Sequence, residues 1–179
     1  MKSTTVRKIT YSALIAAVYA ALTVATSFMS YGNIQFRIAE ALCILPYFFP
    51  FTTWGLVAGC LLSNLFSPSG LLDVIFGTLA TLIACLLTAT IGSVNRQHWW
   101  RRILACLMPV LVNALIVGGM LAFTLSADGS AAAGVLFPVF AVEVGAGEAA
   151  VLFIIGLPLM CLLPRTVWFE RVREKLSAA

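Results

Sequence analysis

Between Ile9 and Leu163 the chain is built almost wholly from apolar blocks of membrane-crossing length, and this constrains its fold more than any other feature. The blocks cover about 9–28, 38–66, 71–91, 103–125 and 135–163. A helix rises about 1.5 Å per residue, so about 20 residues cross a hydrocarbon core roughly 30 Å thick. Hydrophobic residues make up 61 % of the 179 and charged residues 10 %, whereas soluble domains carry about 25 % charged residues. A chain of this size cannot bury so much apolar surface within itself. It is read as an all-α integral membrane protein, a single membrane domain over 1–179, because helices satisfy their own backbone polar groups in lipid.

The first block follows Lys2, Arg7 and Lys8 and competes with a signal peptide. Its length favours a retained helix. The second block is too long for one straight crossing and short for two. Pro46 and Pro50 lie near its middle, where missing amide donors break a helix, so it reads as two short helices, about 38–49 and 51–66, or as one kinked helix. Charge separates these readings, since cytoplasmic loops attract Lys and Arg. With an entering and returning pair, 10 of the 11 basic residues fall on one side. The expected topology is therefore six transmembrane helices, with both termini cytoplasmic.

Several chemistries have no residues to carry them. A pump hydrolysing ATP itself needs a phosphate-cradling GxxxxGK[ST] loop, but the only lysines are Lys2, Lys8 and Lys175. Neither HExxH nor GxSxG occurs. The five cysteines are scattered singly and His98 is the sole histidine, so no metal site is expected and the thiols read as small apolar packing. The chain is expected not to be an enzyme.

Five charges lie within the blocks: Arg37, Glu40, Asp73, Glu143 and Glu148. Each costs at least about 2.5–3.5 kcal/mol at the centre of a span, so it faces a partner or a wet cavity. Arg37 and Glu40, three apart, suit either a local ion pair or one group turned inward to close a site. Asn64 and Asp73 flank a Ser-Pro-Ser-Gly turn, where Asp73 suits a helix cap. Asn113 needs hydrogen-bond partners deep in an apolar helix, from another helix or from a ligand. Glu143 and Glu148 are about 140° apart around the last helix, with Gly145 and Gly147 between them. A carboxylate in such a pocket suits paired N–H donors or a cation. Ala13, Ala17 and Ala21 form a smooth ridge on the first helix, and Ala16 and Ala20 a second pair, suited to close helix packing.

Ile34-Gln35-Phe36-Arg37-Ile38-Ala39-Glu40-Ala41-Leu42, followed by Leu45-Pro46, resembles the signature of the queuosine-precursor transporter (QueT) family. Further similarities run in order along the chain: Gly59-Cys60-Leu61-Leu62-Ser63-Asn64, Asp73-Val74-Ile75-Phe76-Gly77-Thr78, Asn113-Ala114-Leu115-Ile116-Val117-Gly118, Gly147-Glu148 and Gly156-Leu157-Pro158-Leu159.

The resemblance implies a substrate-binding S component of an energy-coupling factor (ECF) transporter. Its expected partners are a transmembrane coupling protein and two ATPase subunits, with no cofactor in this chain and ATP used by the partners. It also implies that Ala13, Ala17 and Ala21 are the docking ridge for the coupling protein. The implied ligand is a 7-deazaguanine, in its 7-cyano or 7-aminomethyl form, or queuine. A carboxylate accepts N1–H and N2–H of a guanine-like edge together; Glu148 is the first choice for that role, with Asn113 on another edge. Glu143, Asp73 or Glu40 would meet an aminomethyl cation, Gln35 and Arg37 would lie in an outer lid loop, and Asn64 joins the candidate site. Glu143 departs from the family pattern. The alternatives are an S component for riboflavin or thiamine and a solitary proton-coupled secondary transporter.

Overall fold

A computed structural model describes residues 2–30, 36–94, 98–127 and 132–177. Among them every regular element is helical: α1 (Lys2–Ala25), α2 (Ser27–Ser30), a 3-10 helix (Ile38–Tyr47), α3 (Thr52–Asn64), α4 (Leu71–Val94), α5 (Trp99–Ala127), α6 (Ala133–Val151), a π turn (Leu152–Gly156), α7 (Leu157–Leu162), a 3-10 turn (Leu163–Arg165) and α8 (Val167–Ser177). Among the described residues, four stretches are long and apolar enough to cross a membrane: Thr4–Ala25, Leu71–Val94, Trp99–Ala127 and Ala133–Arg165.

The second apolar block is two short helices that reverse at residues 48–51. Pro46 is carried inside the 3-10 helix rather than breaking it; the break falls at Pro50, which disfavours a helical conformation for Phe49 before it. The Thr52 and Thr53 amides then bond back to the Phe49 and Pro50 carbonyls and start α3. The first member of the pair is a ten-residue 3-10 helix. At about 2.0 Å per residue it reaches about 20 Å, some 5 Å further than an α-helix of equal length. Such a run is uncommon, and its weaker hydrogen bonds would be exposed in lipid. Here it is enclosed by α1, α3, α4, α5, α6 and the π turn. The small residues Ala39, Ala41 and Cys43, all buried, let those neighbours close around it.

Helix α1 packs on α3 through an exchange of backbone for side chain. A Cβ on Gly55 would stand 2.4 Å from the Ser12 carbonyl oxygen, and one on Gly59 would stand 2.7 Å from that of Ala16. The glycine pair, four residues apart, brings the helices into backbone contact. Ala16 is consequently buried, whereas Ala13, Ala17 and Ala21 remain exposed along a stripe that starts beside the α3 contact at Ala13 and turns away from it toward Ala21.

Several contacts gather the basic residues at one end of the bundle. Arg7 Nη1 donates to the Lys175 carbonyl at 3.0 Å, and Arg102 Nη1 approaches Cys161 Sγ at 3.4 Å. Phe48 and Phe49 pack on Phe169 of α8, with ring centres 5.2 and 5.1 Å away. The buried cysteines Cys43, Cys60, Cys85 and Cys106 are free thiols within the apolar clusters.

Candidate functional site

The polar residues at depth form three linked groups around the central 3-10 helix. The outermost contains Arg37, Asp73 and Asn64. Arg37 precedes the 3-10 helix in extended conformation, φ −88° and ψ 96°. Its Nη2 meets Asp73 Oδ2 at 2.8 Å in a fully buried ion pair, and its Nε reaches the Ser30 carbonyl at 3.3 Å. Asn64 Nδ2 donates to the Asp73 backbone carbonyl at 3.0 Å, joining the end of α3 to the start of α4.

Two readings of the sequence are corrected here. Arg37 pairs with Asp73 rather than Glu40, because it lies outside the helix and the i, i+3 neighbour relation does not hold for it. The Asp73 carboxylate accordingly turns to Arg37 instead of capping α4. Arg37, at the end of the segment before the 3-10 helix, is itself buried, at 4 % exposure. Gln35 lies outside the described residues.

Glu40, one turn deeper, is 1 % exposed. Tyr19 Oη of α1 donates to Glu40 Oε1, and Cys43 Sγ donates to Glu40 Oε2 at 2.9 Å. The second contact follows from the 3-10 geometry, which eclipses residues three apart.

The third group joins the two long helices α5 and α6. Asn113 Nδ2 donates to Glu148 Oε1 at 2.5 Å, with exposures of 6 % and 3 %. Glu148 stands one turn before the π turn, where the Leu157 amide reaches back to the Leu152 carbonyl. Pro158 follows directly and has no amide to continue the regular ladder, which accounts for a widened turn at this position. Glu143 lies on a different face of α6 and is half-buried. The structure thus brings Glu148 to Asn113 and leaves Glu143 outside that contact.

Three buried carboxylates (Glu40, Asp73 and Glu148) and one buried guanidinium (Arg37) share this interior. An interior with this excess of acceptors suits a ligand that presents N–H donors or positive charge. Among the described residues no three His, Cys, Asp or Glu side chains cluster in a way that could hold a metal. Sequence reasoning missed Tyr19, whose hydroxyl needs a partner at depth, and gave Gly77 no role beyond its place in the Asp73–Thr78 run. It also missed the Gly55/Gly59 pair, whose four-residue spacing was a readable signal.

The QueT transporter family description matches residues 9–165, which include every buried polar residue named above. Over 85 residues the chain is 38 % identical to a protein named queuosine precursor transporter QueT from Lactococcus lactis subsp. cremoris (strain MG1363). That alignment covers 46 % of this chain and 50 % of the relative, so the chain spans half the length of the curated relative it matches. No solved structure matches. A match over nearly all the long helices and all three polar groups decides the family: the chain belongs to the QueT transporter family, whose members are transporters and not enzymes.

Proposed function

We propose that this chain is the substrate-binding S component of an ECF-type transporter and captures a 7-deazaguanine queuosine precursor from outside the cell. The observation that carries this reading is the buried Asn113–Glu148 pair at the centre of a QueT-family chain. A guanine-like edge offers O6, N1–H and N2–H in a row. Glu148 accepts from N1–H and N2–H, and the second Asn113 amide hydrogen donates to O6. The pair therefore offers two acceptors and a donor in the order such a base requires.

In this proposal the 3-10 helix and α3 form a crossing pair, giving six transmembrane helices with both termini cytoplasmic. The gathering of basic residues at one end supports that orientation. The exposed ridge Ala13, Ala17 and Ala21 docks a transmembrane coupling protein, and two ATPases bound to that protein supply the energy. Ligand capture is followed by reorientation of the whole S component within a bacterial cytoplasmic membrane.

Calorimetry on the purified chain tests the ligand class, with 7-aminomethyl- and 7-cyano-7-deazaguanine and queuine set against riboflavin and thiamine. Binding of the deazaguanines alone is expected. Preferential binding of riboflavin or thiamine overturns the ligand assignment. Uptake in cells with and without the coupling module tests the mechanism, and full accumulation by this chain alone, abolished by a protonophore, overturns it.

A further inference from the structure

The corner formed by Asn64, Asp73 and Gly77 contains two buried acceptors that the fold does not satisfy. Asp73 Oδ2 is taken by Arg37, and Asn64 donates through Nδ2 to the Asp73 carbonyl and toward Cys60 Sγ. Among the described residues no donor meets Asp73 Oδ1 or Asn64 Oδ1, although both side chains are fully buried. An unsatisfied buried acceptor is costly, and most native ones have a partner. Two such oxygens within one corner point to a ligand group that brings its own hydrogens.

Asn64 and Asp73 pack directly against a glycine, so the placing of their polar atoms depends on its missing side chain. A Cβ on Gly77 would stand 2.7 Å from Asn64 Nδ2 and 2.8 Å from Asp73 Oδ1, closer than any side-chain carbon sits. The corner also lies near the Asn113–Glu148 pair in depth. Thr88 Oγ1 donates to the Ala105 carbonyl across α4 and α5. In this antiparallel pair Asn113 then lies level with about residue 80, about 5 Å along the axis from Gly77 at 1.5 Å per residue. In depth, that offset is less than the length of a bicyclic base with a short substituent.

We propose that the Asn64–Asp73 corner receives the arm of the bound base and selects an arm that donates hydrogen bonds, a primary amine rather than a nitrile. This inference rests on the deazaguanine reading above and sharpens it. An aminomethyl group gives N–H donors to Asp73 Oδ1 and Asn64 Oδ1, and its positive charge suits an interior with more carboxylates than guanidinium groups. A nitrile offers only an acceptor and leaves both oxygens opposed by another lone pair. Sites built to pair with N–H groups reject analogues that lack them, because the protein's own polar atoms are then left bare.

The test is calorimetry on the full chain in detergent with three bases: 7-deazaguanine without an arm, its 7-aminomethyl form and its 7-cyano form. The aminomethyl base is expected to bind at least tenfold tighter than the armless one, and the cyano base no tighter than the armless one. In Gly77→Ala the aminomethyl advantage is expected to vanish while armless binding changes less than threefold. Equal or tighter binding of the cyano base to the wild-type chain overturns the proposal, and that comparison stands even if the variant does not fold. Binding of the armless base with no aminomethyl advantage overturns the arm assignment alone. Failure of all three bases to bind overturns the deazaguanine reading together with it.

Discussion

Replacing Glu148 by Gln separates a binding role from a structural one. Glu148 is 3 % exposed and holds the Asn113 amide at 2.5 Å. The Gln carbonyl oxygen can still accept from Asn113, so that inter-helix bond survives. The other oxygen becomes an NH2 group and turns a donor toward the ligand's N–H. Hydrogen bonds to a charged group contribute about 1.5–3 kcal/mol against about 0.5–1.5 kcal/mol for neutral ones. Loss of charge at one contact and of acceptance at the other should weaken binding by at least about 1.4 kcal/mol, or tenfold. The variant also removes a carboxylate from an apolar interior, which relieves a desolvation cost. Its melting temperature should therefore stay level or rise while Kd increases. Calorimetry and thermal unfolding on the same preparation read both quantities. An unchanged Kd would remove Glu148 from the site, and a fall in melting temperature alongside lost binding would make its role structural.

Three other changes probe the remaining groups. Asp73→Asn leaves the buried Arg37 without its carboxylate and should cost about 3–5 kcal/mol of stability; the Arg37→Met, Asp73→Leu double variant should recover most of this in unfolding measurements. Gly55→Leu drives a side chain into the Ser12 backbone and should destabilise by at least about 1–3 kcal/mol, whereas Ala17→Leu, on the exposed face, should leave melting and ligand binding unchanged yet block co-purification with the coupling protein. Tyr19→Phe takes a donor from the buried Glu40 carboxylate and should lower stability by about 1–3 kcal/mol, read from thermal unfolding; no loss would show that the contact adds nothing.

The parts of this fold set by solvent were legible in the sequence, and the parts set by distant partners were not. Long apolar blocks mark helices, and Pro50 marks a break, without reference to tertiary structure. That the segment from Ile38 to Tyr47 is a 3-10 helix was not legible, because its state depends on being enclosed by the surrounding helices. The candidate site shows the same division. Buried polar residues in apolar blocks announce themselves, since each must find a partner, and Asn113 and Glu148 are of this kind. Which partner each finds is a matter of contacts between residues far apart in sequence: Arg37 reaches Asp73 across 36 residues, and local spacing pointed to Glu40 instead. Gly77 stands in a family-like run, but nothing local shows its role, because that role is the close approach of Asn64 and Asp73 from elsewhere in the chain.

Helix α1 links the two halves of the proposed function through its two faces. Its inner face carries Ser12 and Ala16 against the glycines of α3, and then Tyr19 against Glu40. Its outer face carries the exposed alanines 13, 17 and 21, and Tyr19 falls between the last two of these in sequence. If the outer ridge docks the coupling protein, that partner stands one helix diameter, about 10 Å, from the central 3-10 helix. A partner pressing on α1 would then act on Glu40 through a single side chain, Tyr19. Under the proposed function, the smoothness of one face and the polarity of the other are parts of one arrangement, since docking on the outer face would reach the buried polar groups through α1 alone.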